Sequence, residues 1–292
     1  MKNILIPMDF TSVAMNALKY AIGLFEKESL HVLHVTQMAG KNPQLIGGKP
    51  GQTKIDFLED ELRAYIKHEL NTEYDKAIIN VQVLKGDPAE VIIDQVEANN
   101  YDAVLMGTRD KYTIFDKWLG TISLSLVKSL DIPIYLIPRF AKFNAYDQVV
   151  IASDSHLTDD TILEDIAEWN SKHQAFLNFL HIKRNHKDDF REEREQIVSR
   201  YFEDNIINFG FEINSLSGSN ICKTILANAY NTQAKLIILI PENQSFLKSI
   251  LINSISKDMI LSSDIPMLFF NKNNKSESPF EDSMNNLESS SS

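Results

Sequence analysis

Cysteine, positive charge and long apolar runs are all scarce in this chain of 292 residues, and each shortage removes a class of function. Cys222 is the single cysteine, so no intramolecular disulfide can staple the fold, and a small buried core residue is its expected role. It has no histidine nearby in sequence to make a reactive thiol. Lys and Arg number 29 against 40 Asp and Glu, a formal net charge of -11. That balance leaves no basic footprint for nucleic acid or an anionic bilayer. No stretch approaches a membrane span, and Ile4, Leu5 and Ile6 form too short an apolar run for a secretion signal, with Pro7 and Asp9 interrupting it. The expectation is a cytoplasmic protein with neither nucleic acid nor membrane as partner. Any anionic ligand must be held by local backbone dipoles.

Internal repetition is what the sequence does have. Lys2 to Asp9 matches Asp147 to Asp154, two buried strands closing on an aspartate. Further on, Leu33-His34-Val35 matches Leu180-His181-Ile182, Gly86 matches Gly218, and Ala103 to Met106 matches Leu236 to Leu239. The sharpest match is Asp131-Ile132-Pro133-Ile134-Tyr135-Leu136 with Asp264-Ile265-Pro266-Met267-Leu268-Phe269. The repeat is a whole domain long, which excludes a short-period solenoid. The expected division is residues 1–140, residues 145–272, and a disordered polar tail at 273–292. Residues 140–146 make so short a connector that the two domains must pack closely. One continuous sheet running through the whole chain, or a blocked cleft beside Gly107 and Gly120, would overturn this reading.

Within each repeat, short Val/Ile/Leu runs alternate with helical patterns, which predicts an α/β fold with strands covered on both faces. Ser12 to Phe25 and Lys54 to Lys67 carry helical apolar stripes. Asp87-Pro88-Ala89-Glu90 reads as a helix start, with Asp87 as cap, Pro88 in the first turn and Glu90 placed for a capping box; that helix runs to about Glu97. The result is two tandem doubly wound five-stranded parallel-sheet domains. Gly40 to Gly51 reads as a flexible loop with no counterpart in repeat two. There, Lys183 to Asp204 is dense in both charge signs, a solvated helix face. Ile134 to Ile137 and Met267 to Phe270 are the edge strands expected to pair the domains.

The candidate site lies at the carboxyl ends of the strands, where open α/β sheets take their ligands. Leu105-Met106-Gly107 ends a buried strand, and Gly120-Thr121-Ile122-Ser123 opens a helix whose free amides and hydroxyls suit phosphate oxygens. Gly107 lets the main chain approach a ligand closely. The plain alternative is a strand-end turn and a helix cap.

Pro7-Met8-Asp9 after strand one, His34-Val35 in strand two, Gly86-Asp87-Pro88, Gly107-x2-Asp110-x9-Gly120-Thr121 and Asp131-Ile132-Pro133 together resemble the universal stress protein family. The resemblance covers both repeats, and implies a domain of the adenine-nucleotide α-hydrolase-like type that binds and signals, with no catalytic residue and no protein-held metal site. It implies ATP or another adenine nucleotide as ligand, accompanied by Mg2+. Adenine and ribose contacts would come from Pro7, Met8, Asp9, Val35 and Met106. Phosphate contacts would come from Gly107, Arg109, Gly120, Thr121, Ile122 and Ser123. The domains would pair within the chain as two subunits do in single-domain members, and a homodimer of chains is the further arrangement open to it.

This sequence departs from the family pattern at Asp110, where ATP-binding members keep a glycine. A carboxylate beside a triphosphate is unfavourable unless Arg109, Lys111 or a magnesium ion compensates, so ligands with fewer phosphates are less affected. In repeat two the positions matching Gly107, Asp110, Gly120 and Thr121 are Ile240, Asn243, Asn253 and Ser254, and Pro241 removes an amide donor, which predicts a degenerate site. His31 and His34 point to opposite faces of a strand and share no metal. Asp9 is read as capping the following helix while contacting ribose. Phe115 and Trp118 are read as apolar anchors. The alternatives are a nucleotide-independent protein that binds another small metabolite or lipid, and a weak ATP hydrolase of the related fold.

Overall fold

The computed structural model describes residues 2–37, 52–108, 119–153, 160–183, 198–202, 208–218, 220–241 and 263–270. The first half runs β1 (Asn3–Pro7), α1 (Ser12–Leu24), β2 (Ser29–Thr36), α2 (Lys54–Leu70), a 3-10 turn (Asn71–Lys76), β3 (Ile78–Lys85), α3 (Pro88–Asn99), β4 (Ala103–Thr108), α4 (Leu119–Ser129) and β5 (Ile134–Pro138). The second half contributes β6 (Gln148–Ser153), α5 (Asp160–His173), β7 (Phe176–Lys183), β8 (Phe211–Ser217), α6 (Ile221–Asn231), β9 (Leu236–Ile240) and β10 (Met267–Phe269). The expected tail at 273–292 and the loop at Gly40 to Gly51 lie outside the described residues.

The strands form one ten-stranded sheet in the order β3-β2-β1-β4-β5-β10-β9-β6-β7-β8. Hydrogen bonding therefore runs through both halves, contrary to the expectation of two separate sheets. The continuity comes from one antiparallel seam, β5 against β10, between halves that are parallel throughout. The strand order on one side of the seam is the mirror sequence of the other. Register repeats as well: Ile4 faces Ala103 as Val149 faces Leu236, and Pro7 faces Leu33 as Ala152 faces Leu180. Even the crossing bonds recur, with Val104 N–H to Pro133 C=O at 2.9 Å and Ile237 N–H to Pro266 C=O at 3.0 Å.

At the seam, Met267 pairs with Leu136, Leu268 with Tyr135, and Phe269 with Ile134. Because Ile134, Tyr135 and Leu136 correspond in sequence to Met267, Leu268 and Phe269, the pairing is self-complementary about the Tyr135–Leu268 step. This is the isologous contact that two identical surfaces make across a two-fold axis.

Strand periodicity sends alternate residues to opposite faces, and both faces are covered. Ile4, Ile6, Leu30 and Val32 pack under α1, α2 and α5, while Leu5, Leu33, Val104 and Met106 pack under α3, α4 and α6. Each fully buried Leu or Ile contributes roughly 1.5–3 kcal/mol of transfer free energy, which is why these short strands read as unbroken apolar runs. Cys222 is fully buried on α6.

Local signals set the helix ends. Thr11, not Asp9, caps α1, its hydroxyl accepting from Ala14 N–H at 3.2 Å. Asp87 caps α3 by accepting from Ala89 N–H (3.0 Å) and Glu90 N–H (3.3 Å). Glu90 makes no recorded return bond among the described residues; the reciprocal capping box occurs at α2, between Thr53 and Asp56. Gly86 has φ +154°, and a Cβ there would lie 2.5 Å from Val91 Cγ2, so both backbone and space require glycine. The charged segment at Lys183 to Asp204 is not wholly solvated: Val198 and Phe202 are buried, and Phe202 stacks among Phe179, Phe209 and Phe211. Val198 and Phe202 are four residues apart, the spacing of one helix face.

Candidate functional site

Four elements converge at the carboxyl edge of the first half. β1 delivers Pro7, Met8 and Asp9, β2 delivers Leu33, His34 and Val35, β4 delivers Met106 and Gly107, and the first turn of α4 delivers Ile122. With Thr11, Val13, Ala14, Pro88 and Ile92 they enclose a cavity of about 110 Å³. It lies at the crevice where the chain reverses its winding direction, β1 having β2 on one side and β4 on the other.

The polar groups at its rim are held in place. After β1 the chain turns sharply at Phe10, which has φ 61°. The Asp9 carboxylate accepts from Thr11 N–H (3.2 Å) and from the Thr11 hydroxyl (2.5 Å). Asp9 therefore positions the residue that caps α1 and is not itself the cap. His34 donates Nδ1–H to the Met8 carbonyl at 2.8 Å, which fixes the tautomer and leaves Nε2 as the ring's other polar atom. The Phe10 ring packs edge-on against His34 with centroids 5.0 Å apart. Met8 N–H is bonded to Leu33 C=O at 2.8 Å, so the cavity floor is tied across β1 and β2.

Gly107 has a packing justification beside the expected one. A Cβ there would meet Val13 Cγ1 and Val13 O at 2.7 Å and Val13 C at 2.9 Å. The missing side chain is thus required by the close passage of α1 over the end of β4. Gly107 does line the cavity.

Of the residues named from sequence, Pro7, Met8, Asp9, Val35, Met106, Gly107 and Ile122 line this one cavity. Gly120 and Thr121 lie in the first turn of α4 next to Ile122. Ser123 is buried within α4 and is not among the lining residues. Arg109 and Asp110 lie outside the described residues, as do Lys111, Phe115 and Trp118. Sequence reasoning did not select Thr11, Val13, Ala14, Leu33, His34, Pro88 and Ile92 as site residues. His34 carried a signal, a polar residue in an apolar strand next to Val35; the others read only as core or cap. His31 turns away, its Nε2 3.0 Å from Ser29 Oγ and its ring against Tyr101. In the second half the counterpart of Gly107 is Ile240, buried at the end of β9 beside a buried Pro241. Asn243, Asn253 and Ser254 lie outside the described residues.

The cavity is lined chiefly by apolar side chains, with Asp9, Thr11 and His34 as its polar groups. Such a slot suits a flat, weakly polar ring with hydrogen-bonding edges. The α4 amides beside Ile122 offer a site of positive potential at its mouth.

Comparison with known proteins bears on the same half. The model of the universal stress protein family matches residues 1–138. Two curated universal stress proteins of Methanocaldococcus jannaschii are 24% identical over 144 residues and 23% identical over 154 residues; each alignment covers 47% of this chain, and 82% and 95% of the respective relative. Among solved structures, a universal stress protein from Archaeoglobus fulgidus aligns over 93% of this chain and 97% of its own, with TM-score 0.67 and 21% identity. A Pseudomonas aeruginosa protein described as a putative universal stress protein aligns over 92% of both chains with TM-score 0.57 and 11% identity. At those identities the structural matches establish the fold of both halves, while the family model and the curated relatives bear on the first. Over residues 1–138 the chain is thus similar to the universal stress protein family.

Proposed function

We propose that this chain is a non-catalytic stress-response module that binds an adenine nucleotide in the first-half cavity. The base enters the apolar slot between Met8, Val35 and Met106, and the ribose meets Asp9 at the rim. The phosphates leave across Gly107 towards the first turn of α4, where the amides and hydroxyls of Gly120, Thr121 and Ser123, with Arg109, receive them. Magnesium accompanies a triphosphate and offsets Asp110. What carries the reading is the convergence of Pro7, Met8, Asp9, Val35, Met106, Gly107 and Ile122, chosen from sequence, around one cavity.

The volume of about 110 Å³ refines the ligand. Pockets that enclose a drug-sized molecule span roughly 300–1,000 Å³. The cavity therefore grips one moiety, the base, and leaves the rest at the surface. The base makes the enclosed contact and the phosphates the surface ones, so mono- and diphosphates are favoured wherever Asp110 opposes the third phosphate.

The second half serves as the intramolecular partner of the first through the β5–β10 seam and has no nucleotide site. Residues 1–140 and 145–272 are the two working units of this reading, and the cytoplasm its compartment; among the described residues no helix is long and apolar enough to cross a membrane. The apolar lining also favours a second reading, in which the slot holds a small apolar metabolite and no nucleotide.

The test is calorimetric titration with AMP, ADP and ATP, with and without magnesium, alongside thermal melts. Saturable binding that Gly120→Arg abolishes is the expected result, with no turnover above background. Absence of binding by every adenine nucleotide would discard the first reading in favour of the second.

A further inference from the structure

A second and larger cavity lies on the opposite edge of the sheet, between the two halves. It measures about 790 Å³ against about 110 Å³ for the nucleotide cavity. Its walls come from the amino ends of β1, β4 and β5, the carboxyl end of α1, the connector at Phe143, Ala145 and Tyr146, and one side of α5. Neither half forms it alone.

Aromatic rings make the floor. Tyr146 and Trp169 pack with centroids 5.6 Å apart, Phe143 meets Tyr146 edge-on at 5.5 Å, and Phe25 meets Tyr135 edge-on at 5.9 Å. Their polar atoms are satisfied within the protein: Trp169 Nε1–H donates to Tyr135 Oη at 3.0 Å, and the Tyr20 and Tyr146 hydroxyls lie 2.9 Å apart. Tyr135 and Tyr146 are buried beneath this floor, so the half-buried rings of Phe25, Phe143 and Trp169 are the ones that border the open space, and ring quadrupoles attract cations.

Charge at the rim points the same way. Glu26, Glu28, Asp102, Asp131, Asp165 and Glu168 line the cavity against Lys2, Lys27 and Lys172. His173 adds no positive charge at neutral pH, because burial and the Lys172 ammonium hold its ring down to about 4. Two helix carboxyl ends also converge here, α1 at Leu24 and α5 at His173, each presenting the negative end of its dipole. An anion would meet three unfavourable fields in this space, and a neutral molecule would use only the floor.

We propose that this cleft binds a small organic cation with an apolar body, an amine or guanidinium carried on a ring or short hydrocarbon frame. The apolar body lies over Phe143 and Trp169, and the cationic head reaches the carboxylates of Glu26 and Glu168. Because its walls come from both halves, occupancy braces one half against the other. The site is separate from the nucleotide cavity and stands or falls independently of it.

The experiment titrates full-length protein at low ionic strength with three matched probes: phenethylammonium, the neutral 2-phenylethanol and the anionic 3-phenylpropionate. Calorimetry and ligand-observed NMR read the binding. The ammonium probe is expected to bind saturably, at least about tenfold more tightly than the alcohol, with the carboxylate probe weakest. Glu26→Gln and Glu168→Gln, both at exposed positions, should each weaken it about two- to fivefold and leave the melting temperature unchanged. ATP should not displace it. Equal affinity for ammonium and alcohol, preference for the carboxylate, competition by ATP, or an unaltered affinity in the double variant would each overturn the proposal.

Discussion

Replacing Gly107 by alanine separates packing from ligand contact at the end of β4. The added Cβ would sit 2.7 Å from both Val13 Cγ1 and Val13 O. Carbon pairs are comfortable at about 3.5–4.0 Å, so something must give. The Val13 side chain can turn aside, but its carbonyl belongs to the first turn of α1. That helix is pinned by the Thr11 cap and by Asn16 Nδ2, which donates to Pro138 O and Ala141 O at 2.9 Å. Moving α1 off the sheet costs about 1–3 kcal/mol by the usual scale of core overpacking. At about 2–4 °C per kcal/mol for a chain of this class, a cost near 2 kcal/mol lowers the melting temperature by about 4–8 °C. Pairing it with Val13→Ala removes the Cγ1 clash and keeps the carbonyl clash, so rescue should be partial. A double-mutant cycle read by urea unfolding should show a coupling of about 0.5–1 kcal/mol. Gly107→Ala within about 0.5 kcal/mol of the parent would refute the packing argument. If nucleotide affinity alone fell, the glycine would instead be serving the ligand.

Further outcomes follow from the same geometry. His173 is held down to about 4 from its ordinary 6.5, so the unfolded chain takes up a proton that the folded chain refuses. Stability is then full above about pH 6.5, falls as the pH drops towards 4, and is flat in this respect below; the loss is about 1–2 kcal/mol after discounting for the partly exposed ring. Urea midpoints across that range check it, and His173→Phe should flatten the slope. Asp87→Ala removes the acceptor for two amides at the start of α3 and should cost about 0.5–2 kcal/mol by chemical denaturation, whereas Asp87→Asn should cost far less. Tyr135→Phe strands the Trp169 indole N–H in the seam and should cost about 1–3 kcal/mol, with an altered tryptophan emission spectrum. Asp110→Gly should tighten ATP more than AMP in parallel titrations; an equal change for both would place that carboxylate away from the third phosphate.

The periodic parts of the fold were legible because they depend on neighbours in sequence. Unbroken runs such as Ile4-Leu5-Ile6 and Leu236 to Leu239 announce strands covered on both faces, and Asp87-Pro88 announces a helix start. The matched segments of the two repeats were also legible, and the strand registers fall on the same residues that sequence comparison aligned. What escaped depends on approach between distant segments. Gly107 reads as an opening for a ligand, and nothing in sequence tells that Val13 also passes above it. Asp9 reads as a cap because sequence does not tell which of Asp9 and Thr11 meets the helix amides; Thr11 does, and Asp9 holds Thr11. Leu33 and Ile92 were indistinguishable from core until β2 and α3 were placed around the cavity. The second cavity was wholly invisible, since its walls join the end of α1, the connector and α5 only after the halves meet.

The two-fold register about Tyr135 and Leu268 has a consequence for how chains of this kind associate. A strand whose partner is its own duplicate cannot distinguish that duplicate from the one in another molecule. Two molecules that traded halves would recover every main-chain bond of the join, so the choice between a closed monomer and a reciprocal exchange rests on the tether at residues 139–147. Asn16, which grips the carbonyls of Pro138 and Ala141, and Tyr20, which meets Phe143 and Tyr146, hold that tether against α1 of its own molecule.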